Sequence, residues 1–278
     1  MAGKSRGGPR QPLSRVRPKA ASSSARPGPA KHRGTTARKP ERDKRPGGAA
    51  VRPSSRPASK SSRRRTYGSS LREHAAWIID RLRERYPDAR CELDYGDAWQ
   101  LLVATILSAQ CTDRRVNMVT PVLFRAYPTP AAMAAARQED VEEIIRSTGF
   151  FRNKARNLIA MSGAVADRHS GQVPPSMAEL VKLPGVGRKT ANVVLGNACG
   201  INEGIAVDTH VLRVGRRLGL TNDEDPVRVE RDLVGLVDRD LWSLVSHLLI
   251  WHGRRTCHAR KPLCGECPLS PHCPASLV

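Results

Sequence analysis

The chain has 278 residues, and 47 Lys and Arg against 26 Asp and Glu leave a net charge of +21. No apolar run approaches the roughly 20 residues that a membrane-spanning helix needs, which excludes an integral helical membrane protein. The charge is lopsided: residues 1–65 carry 20 basic and 2 acidic side chains, a surplus of +18, and everything after them only +3.

From the N-terminus, residues 1–66 form a basic arm of Arg, Lys, Pro, Ser, Gly and Ala. So few large apolar side chains cannot offset the entropy of ordering a chain, so disorder is expected there, with sequence-independent attraction to nucleic acid as the role. An organelle transit peptide is the alternative, against which the scattered Pro and Gly argue. Beyond the arm the pattern is helical. Trp77, Ile78, Leu82 and Tyr86 recur at helical spacing, and Asp97 with Gln100 has the spacing of a capping box before the apolar run Trp99 to Leu107. Gly149 and Gly171 stand where helices should stop, Ser176 with Glu179 repeats the capping spacing, and Asp225-Pro226 reads as an N-cap followed by proline at the first helical position. No stretch alternates convincingly with period two, so the predicted fold class is all-α.

Two motifs carry chemistry. Leu183-Pro184-Gly185-Val186-Gly187-Arg188-Lys189-Thr190 runs a Gly-x-Gly turn into a helix, which offers backbone N–H groups and the positive helix end to an anion. A nucleotide-hydrolase loop would need glycine where Leu183 and Arg188 stand, and a dinucleotide fold would need a strand where Met177 to Leu183 reads as a short helix. A helical hairpin on a nucleic-acid phosphate remains, beside a plain helix stop and restart. Asp208, nineteen residues after Lys189, closes the apolar run Ile205 to Val207 and is a natural N-cap. A lysine and an aspartate meeting in a cleft would also supply an amine nucleophile and its electrostatic partner.

The chain closes on Cys257, Cys264, Cys267 and Cys273, six, two and five residues apart. Four thiolates suit an iron-sulfur cluster or a structural zinc, and the spacing alone leaves both open. Disulfides would need an oxidising compartment, and Met1 to Pro12 hold no apolar core for a secretory signal. Arg254, Arg255, His258, Arg260 and Lys261 make this segment basic, fit either to meet phosphates or to balance thiolate charge.

In this order and at these distances the hairpin, the Val207-Asp208-Thr209-His210-Val211 segment and the cysteine cage resemble the endonuclease III family, base-excision glycosylase/lyases of the helix-hairpin-helix superfamily. Leu107-Ser108-Ala109-Gln110 before Thr112-Asp113, and Gly149-x-x-x-Asn153-Lys154-Ala155, match the same family, and the resemblance covers about residues 70 to 276. It implies two helical lobes with DNA between them: a six-helix lobe with the hairpin at 91–201, and a cluster lobe from 67–90 and 202–278. It implies a [4Fe-4S] cluster on the four C-terminal cysteines, with Cys91, Cys111 and Cys199 as packing thiols. It implies excision of oxidised pyrimidines and β-elimination at the abasic site, with Lys189 as Schiff-base nucleophile and Asp208 stabilising charge on the sugar. Gln110 would fill the gap left by the flipped nucleotide. Phe150 falls where many relatives carry a leucine wedge, with core packing as its alternative. Gly185, Gly187, Arg188, Arg260 and Lys261 would contact DNA, and Asp113 and His210 would support the site. The implied partner is duplex DNA with damaged pyrimidines or abasic sites, bound by a monomer at a bacterial nucleoid in the cytoplasm, away from membranes. An adenine-mismatch glycosylase is disfavoured because it lacks a lysine at the position of Lys189 and continues past the cluster, whereas five residues follow Cys273 here. A non-catalytic DNA binder is disfavoured because Lys189 and Asp208 are both present.

Overall fold

Side-chain caps decide where most helices begin. In the computed structural model, which describes residues 68–278, Asp97 accepts from the Gln100 N–H (2.7 Å) to open α2 (Ala98–Leu107), and Thr112 accepts from the Arg115 N–H (3.3 Å) to open α3 (Asp113–Ala126). Thr129 caps α4 (Pro130–Ala134), which leads into α5 (Gln138–Ile145) and α6 (Phe151–Arg168). Asp225 caps α10 (Pro226–Leu236) with proline at the first position, as the sequence predicts. The capping box expected at Ser176 and Glu179 does not form: Ser176 makes no side-chain cap bond to the single turn Met177–Leu180 (α7), and Glu179 pairs with Lys182 at 2.6 Å. An exposed opposite charge three residues on competes successfully where only one turn of helix follows. The predicted stops hold, with Gly149 and Gly171 at φ of 70° and 76°. Among the described residues every regular element is helical, so the fold is all-α. The basic arm lies outside the described residues.

The buried side chains segregate into two clusters. The first gathers Leu102, Leu123, Met133, Val141, Leu158 and Val194 from α2 to α8 (Arg188–Ala198). At its centre α2 is buried on all sides, as the apolar run Trp99 to Leu107 requires. Each fully buried leucine contributes about 2–3 kcal/mol of burial free energy. The second cluster joins the two ends of the described chain: Ile78 and Leu82 of α1 (Ser69–Arg85) pack with Val211 and Val214 of α9 (Thr209–Arg217), Leu233 of α10, and Leu248 and Leu249 of α11 (Trp242–Arg255). Polar contacts lock that closure. His74 Nε2 donates to the Leu218 carbonyl at 2.9 Å, and the Tyr86 hydroxyl meets Thr256 Oγ1 at 2.8 Å. Membership changes from one cluster to the other between Ala89 and Cys91, and again between Ile201 and Ile205. Cys91, Cys111 and Cys199 pack partly buried against the first cluster.

Candidate active site

The short helix α7 and the start of α8 form the hairpin. Gly185 turns the chain at φ 75°, with Asn157 close enough that a side chain there would meet its amide nitrogen at 2.9 Å. Gly187 then caps α8 without a side-chain bond, so the first backbone N–H groups of that helix have no side-chain cap of their own. Lys189 leaves the first turn of α8 exposed. Arg188 beside it is turned towards α10: its guanidinium grips Glu230 through Nε to Oε2 (2.8 Å) and Nη2 to Oε1 (2.9 Å), and Asn192 Nδ2 donates to the same Oε1 at 2.9 Å. That bidentate pair raises the Arg188 guanidinium above its ordinary value. Glu230 is buried, and nothing in the sequence near the hairpin announced it.

Lys189 and Asp208 line one cleft of about 460 Å³, together with Gln110, Asp113, His210 and Trp251. Asp208 caps α9, and both capping bonds, from the His210 and Val211 N–H groups at 2.8 Å, fall on Oδ1, so capping engages a single carboxylate oxygen. His247 lies deep in the same cleft. Its Nε2 meets Asn197 Oδ1 at 2.8 Å, and because Asn197 Nδ2 is committed to the Val193 carbonyl, His247 must donate. Burial pushes its imidazole down to about 4, so it is neutral at physiological pH. His210 is also lowered, chiefly by burial; its Nδ1 accepts from Arg213 Nη2 at 3.2 Å, since arginine has only donors. Arg254 of α11, which also lines the cleft, bonds Asp113 of α3 at 2.7 Å and also Glu92, a bridge between elements of the two clusters. Arg255 pairs with Glu92 and stacks 3.6 Å from the Trp251 ring centre. Arg254 and Arg255 are therefore engaged internally, whereas Arg260 and Lys261 stand exposed.

Gln110 and Phe150 share an unusual backbone. Both are exposed, and both have left-handed φ, 53° and 48°, a conformation that costs energy outside glycine. Phe150 is 63% exposed, which removes the core reading for this ring. Next to it, Arg146 and Arg152 each lie 5.7 Å from the centre of the Phe151 ring.

The four C-terminal thiols face a common cavity. Burial first, and repulsion from the other three thiolates in addition, raise Cys267; Cys273 is raised in the same way, with Cys257 and Cys264 as the repelling neighbours. A positively charged centre relieves that repulsion, so the donor set fits a metal group. A single zinc would draw thiolates to within about 4 Å of one another through bonds of about 2.3 Å. An iron-sulfur cluster holds its four thiolates around a larger core, and the cavity that Cys257, Cys264, Cys267 and Cys273 share offers the four thiols such a group needs. Arg217 of α9 closes the first cysteine loop, donating to Cys257 Sγ (3.3 Å) and to the His258 (2.7 Å) and Ala259 (2.8 Å) carbonyls.

Comparison with known proteins agrees with this arrangement. Residues 103–239 match the HhH-GPD superfamily of base excision DNA repair proteins, and residues 257–273 match the iron-sulfur binding domain of endonuclease III. The endonuclease III of Synechocystis sp. is 53% identical over 208 residues, 75% of this chain and 95% of its own length. Two solved structures, a non-covalent endonuclease III-DNA complex and a trapped endonuclease III-DNA covalent intermediate, each superpose with TM-score 0.71 at 44% identity, covering 74% of this chain and 96% of theirs. The chain belongs to the endonuclease III family, and is a DNA glycosylase and AP lyase that carries a [4Fe-4S] cluster.

Proposed function

We propose that this protein acts as a monomer on duplex DNA, excises oxidised pyrimidines and cleaves the abasic site that results. The observation that carries the reading is the single cleft lined by Lys189, Asp208 and Gln110. A base stacked in a duplex hides its sugar C1′, so the damaged nucleotide swings out into that cleft, most cheaply where pairing is already impaired. Lys189 Nζ attacks C1′ as the glycosidic bond breaks and the base departs with its electron pair. The C1′–O4′ bond then opens, O4′ taking up the proton shed by the amine, and the imine so formed acidifies the C2′ hydrogens; loss of one expels the 3′ phosphate, and water releases the lysine. Asp208 stabilises the positive charge on the sugar and takes the proton that Lys189 sheds, which is compatible with capping because the cap engages one oxygen.

The left-handed loops carrying Gln110 and Phe150 enter the stack, Gln110 towards the orphaned base and the Phe150 ring between steps. Gly185, Gly187 and the backbone of Arg188 hold a phosphate, as the uncapped start of α8 favours. The Arg188 side chain serves to anchor the hairpin to Glu230. Arg260 and Lys261, exposed on the cysteine loop, meet the backbone further along. Cys257, Cys264, Cys267 and Cys273 hold the cluster, whose charge ties the chain end down. The two buried clusters support a hairpin lobe at 91–201 and a cluster lobe made from 67–90 and 202–278, with the cleft at their junction. No helix among the described residues is long and apolar enough to cross a membrane, and the reading puts the protein on the bacterial nucleoid in the cytoplasm. Incubation with a thymine-glycol duplex and borohydride tests the mechanism: the parent forms a covalent adduct, and Lys189→Ala forms none while still binding DNA. An undiminished adduct in that variant would overturn the nucleophile.

A further inference from the structure

Lys154 is a charged side chain that the chemistry above does not use, and it is 5% exposed. It sits in the first turn of α6, and its Nζ donates at 2.8 Å to the Leu107 carbonyl and at 2.8 Å to the Thr148 carbonyl. Leu107 is the last residue of α2, where helical carbonyls lack partners and the helix dipole favours a cation. Thr148 is the last residue of a 3-10 turn that closes α5. Three residues beyond Leu107 comes Gln110, and two beyond Thr148 comes Phe150. One buried ammonium thus joins the roots of the two loops that carry the exposed, left-handed Gln110 and Phe150. Burial lowers the Lys154 amine from its ordinary value, and its partners are neutral carbonyls, so the site holds a charge at a cost. An apolar side chain of equal length would fill the same space but leave the Leu107 and Thr148 carbonyls without this donor, so the ammonium is kept for the link it makes between them rather than for packing.

We propose that Lys154 is a positioning residue for DNA opening: it fixes the spacing between the Gln110 and Phe150 loops so that both side chains enter the duplex together. This rests on the proposed role of those two side chains. Without the tie, each loop would relax from its left-handed conformation independently, and the enzyme would lose the simultaneous fill and wedge that keep a nucleotide out of the stack. Chemistry at Lys189 itself would be untouched, because Lys154 is not among the residues lining the cleft.

The test compares two substrates on Lys154→Met, which keeps the length and removes the donors, and on the milder Lys154→Gln, which keeps an N–H donor. On a thymine-glycol lesion in a paired duplex, single-turnover rate at subsaturating enzyme should fall by about tenfold, the scale of coupling within one hydrogen-bonded network. On an abasic site in single-stranded DNA, which needs no opening, the rate should stay within about twofold of the parent. Equal loss on both substrates, in whichever variant retains the visible cluster absorbance and parental melting, would mean a general structural role and overturn the proposal. A cycle with the Gln110→Ala, Phe150→Ala double variant separates the layers. If that double variant slows the paired substrate and adding Lys154→Met slows it no further, the three act as one device. If the double variant slows it and Lys154→Met alone does not, the positioning role is refuted and the wedge reading survives. If the double variant has no effect, the wedge reading itself has failed.

Discussion

Glu230→Ala should unfasten the hairpin from α10, and its size can be worked from the contacts. Glu230 accepts three bonds, two from Arg188 and one from Asn192. The Arg188 side chain is 50% exposed, so solvent screens that pair and its loss is set at about 0–1 kcal/mol. Asn192 is 6% exposed, its Oδ1 already lacks a hydrogen-bond partner, and stranding its Nδ2 costs about 1–3 kcal/mol. The sum is about 1–4 kcal/mol, which for a folded unit of this size lowers the melting temperature by about 2–16 °C. Gly204→Ala should produce the same defect from the other side, because a Cβ there would fall on Glu230 Oε1 and lie 2.8 Å from Asn192 Nδ2. Thermal melts followed by circular dichroism, alongside borohydride trapping, are the assay. Since the helix that shifts carries Lys189, trapping should slow in both variants. Melting within about 2 °C of the parent for Glu230→Ala would refute the view that this buried carboxylate holds the hairpin.

Asp208→Asn should keep folding and DNA binding but lose most turnover, since an amide oxygen can still cap α9 yet carries no charge; near-normal turnover would leave capping as the residue's whole role. Cys264→Ser should lose iron and acid-labile sulfide and soften the C-terminal segment before it alters chemistry at the cleft, as iron analysis and limited proteolysis would register. His247 makes stability pH-dependent. Its folded value of about 4 lies below the ordinary 6.5, so the unfolded chain binds the proton first as pH falls, and stability is full above 6.5 and lost progressively down to about 4. The loss amounts to about 3 kcal/mol over that window, and urea midpoints at pH 7 and pH 4.5 should differ less in His247→Gln than in the parent. Deleting residues 1–65 should flatten the dependence of log affinity on log salt by about 0.9 per lost phosphate contact and leave lesion preference unchanged. An unaltered salt slope would assign the arm to targeting or partner recruitment instead.

What the sequence could disclose was local. The caps at Asp97, Asp208 and Asp225, the stop at Gly149 and the cysteine spacing all act over a few residues, and all appear in the structure as read. The exception, Ser176, shows how weak a capping signal is when a neighbouring charge competes for its partner. Long-range charge pairing was invisible. Arg188 sits beside Lys189 in the chain, yet its direction is set by Glu230, forty-two residues away, and Arg254 finds Asp113 across 141 residues. Nor could spacing reveal that Gln110 and Phe150 would be left-handed, because neither residue type favours that conformation and the tertiary tie through Lys154 holds the adjoining backbone.

Helix α9 spans only nine residues, but its two ends belong to different tasks. Its first turn is capped by Asp208 at the cleft; further along, Arg213 donates to the Gly253 and Cys257 carbonyls, and Arg217 clasps Cys257 and the two residues after it. The cysteine loop is thus a splint on the helix that aims the carboxylate. A chain without its cluster would keep every residue of its chemistry but lose the splint, so the effect of cluster loss on the cleft should travel through α9 rather than through any reacting group.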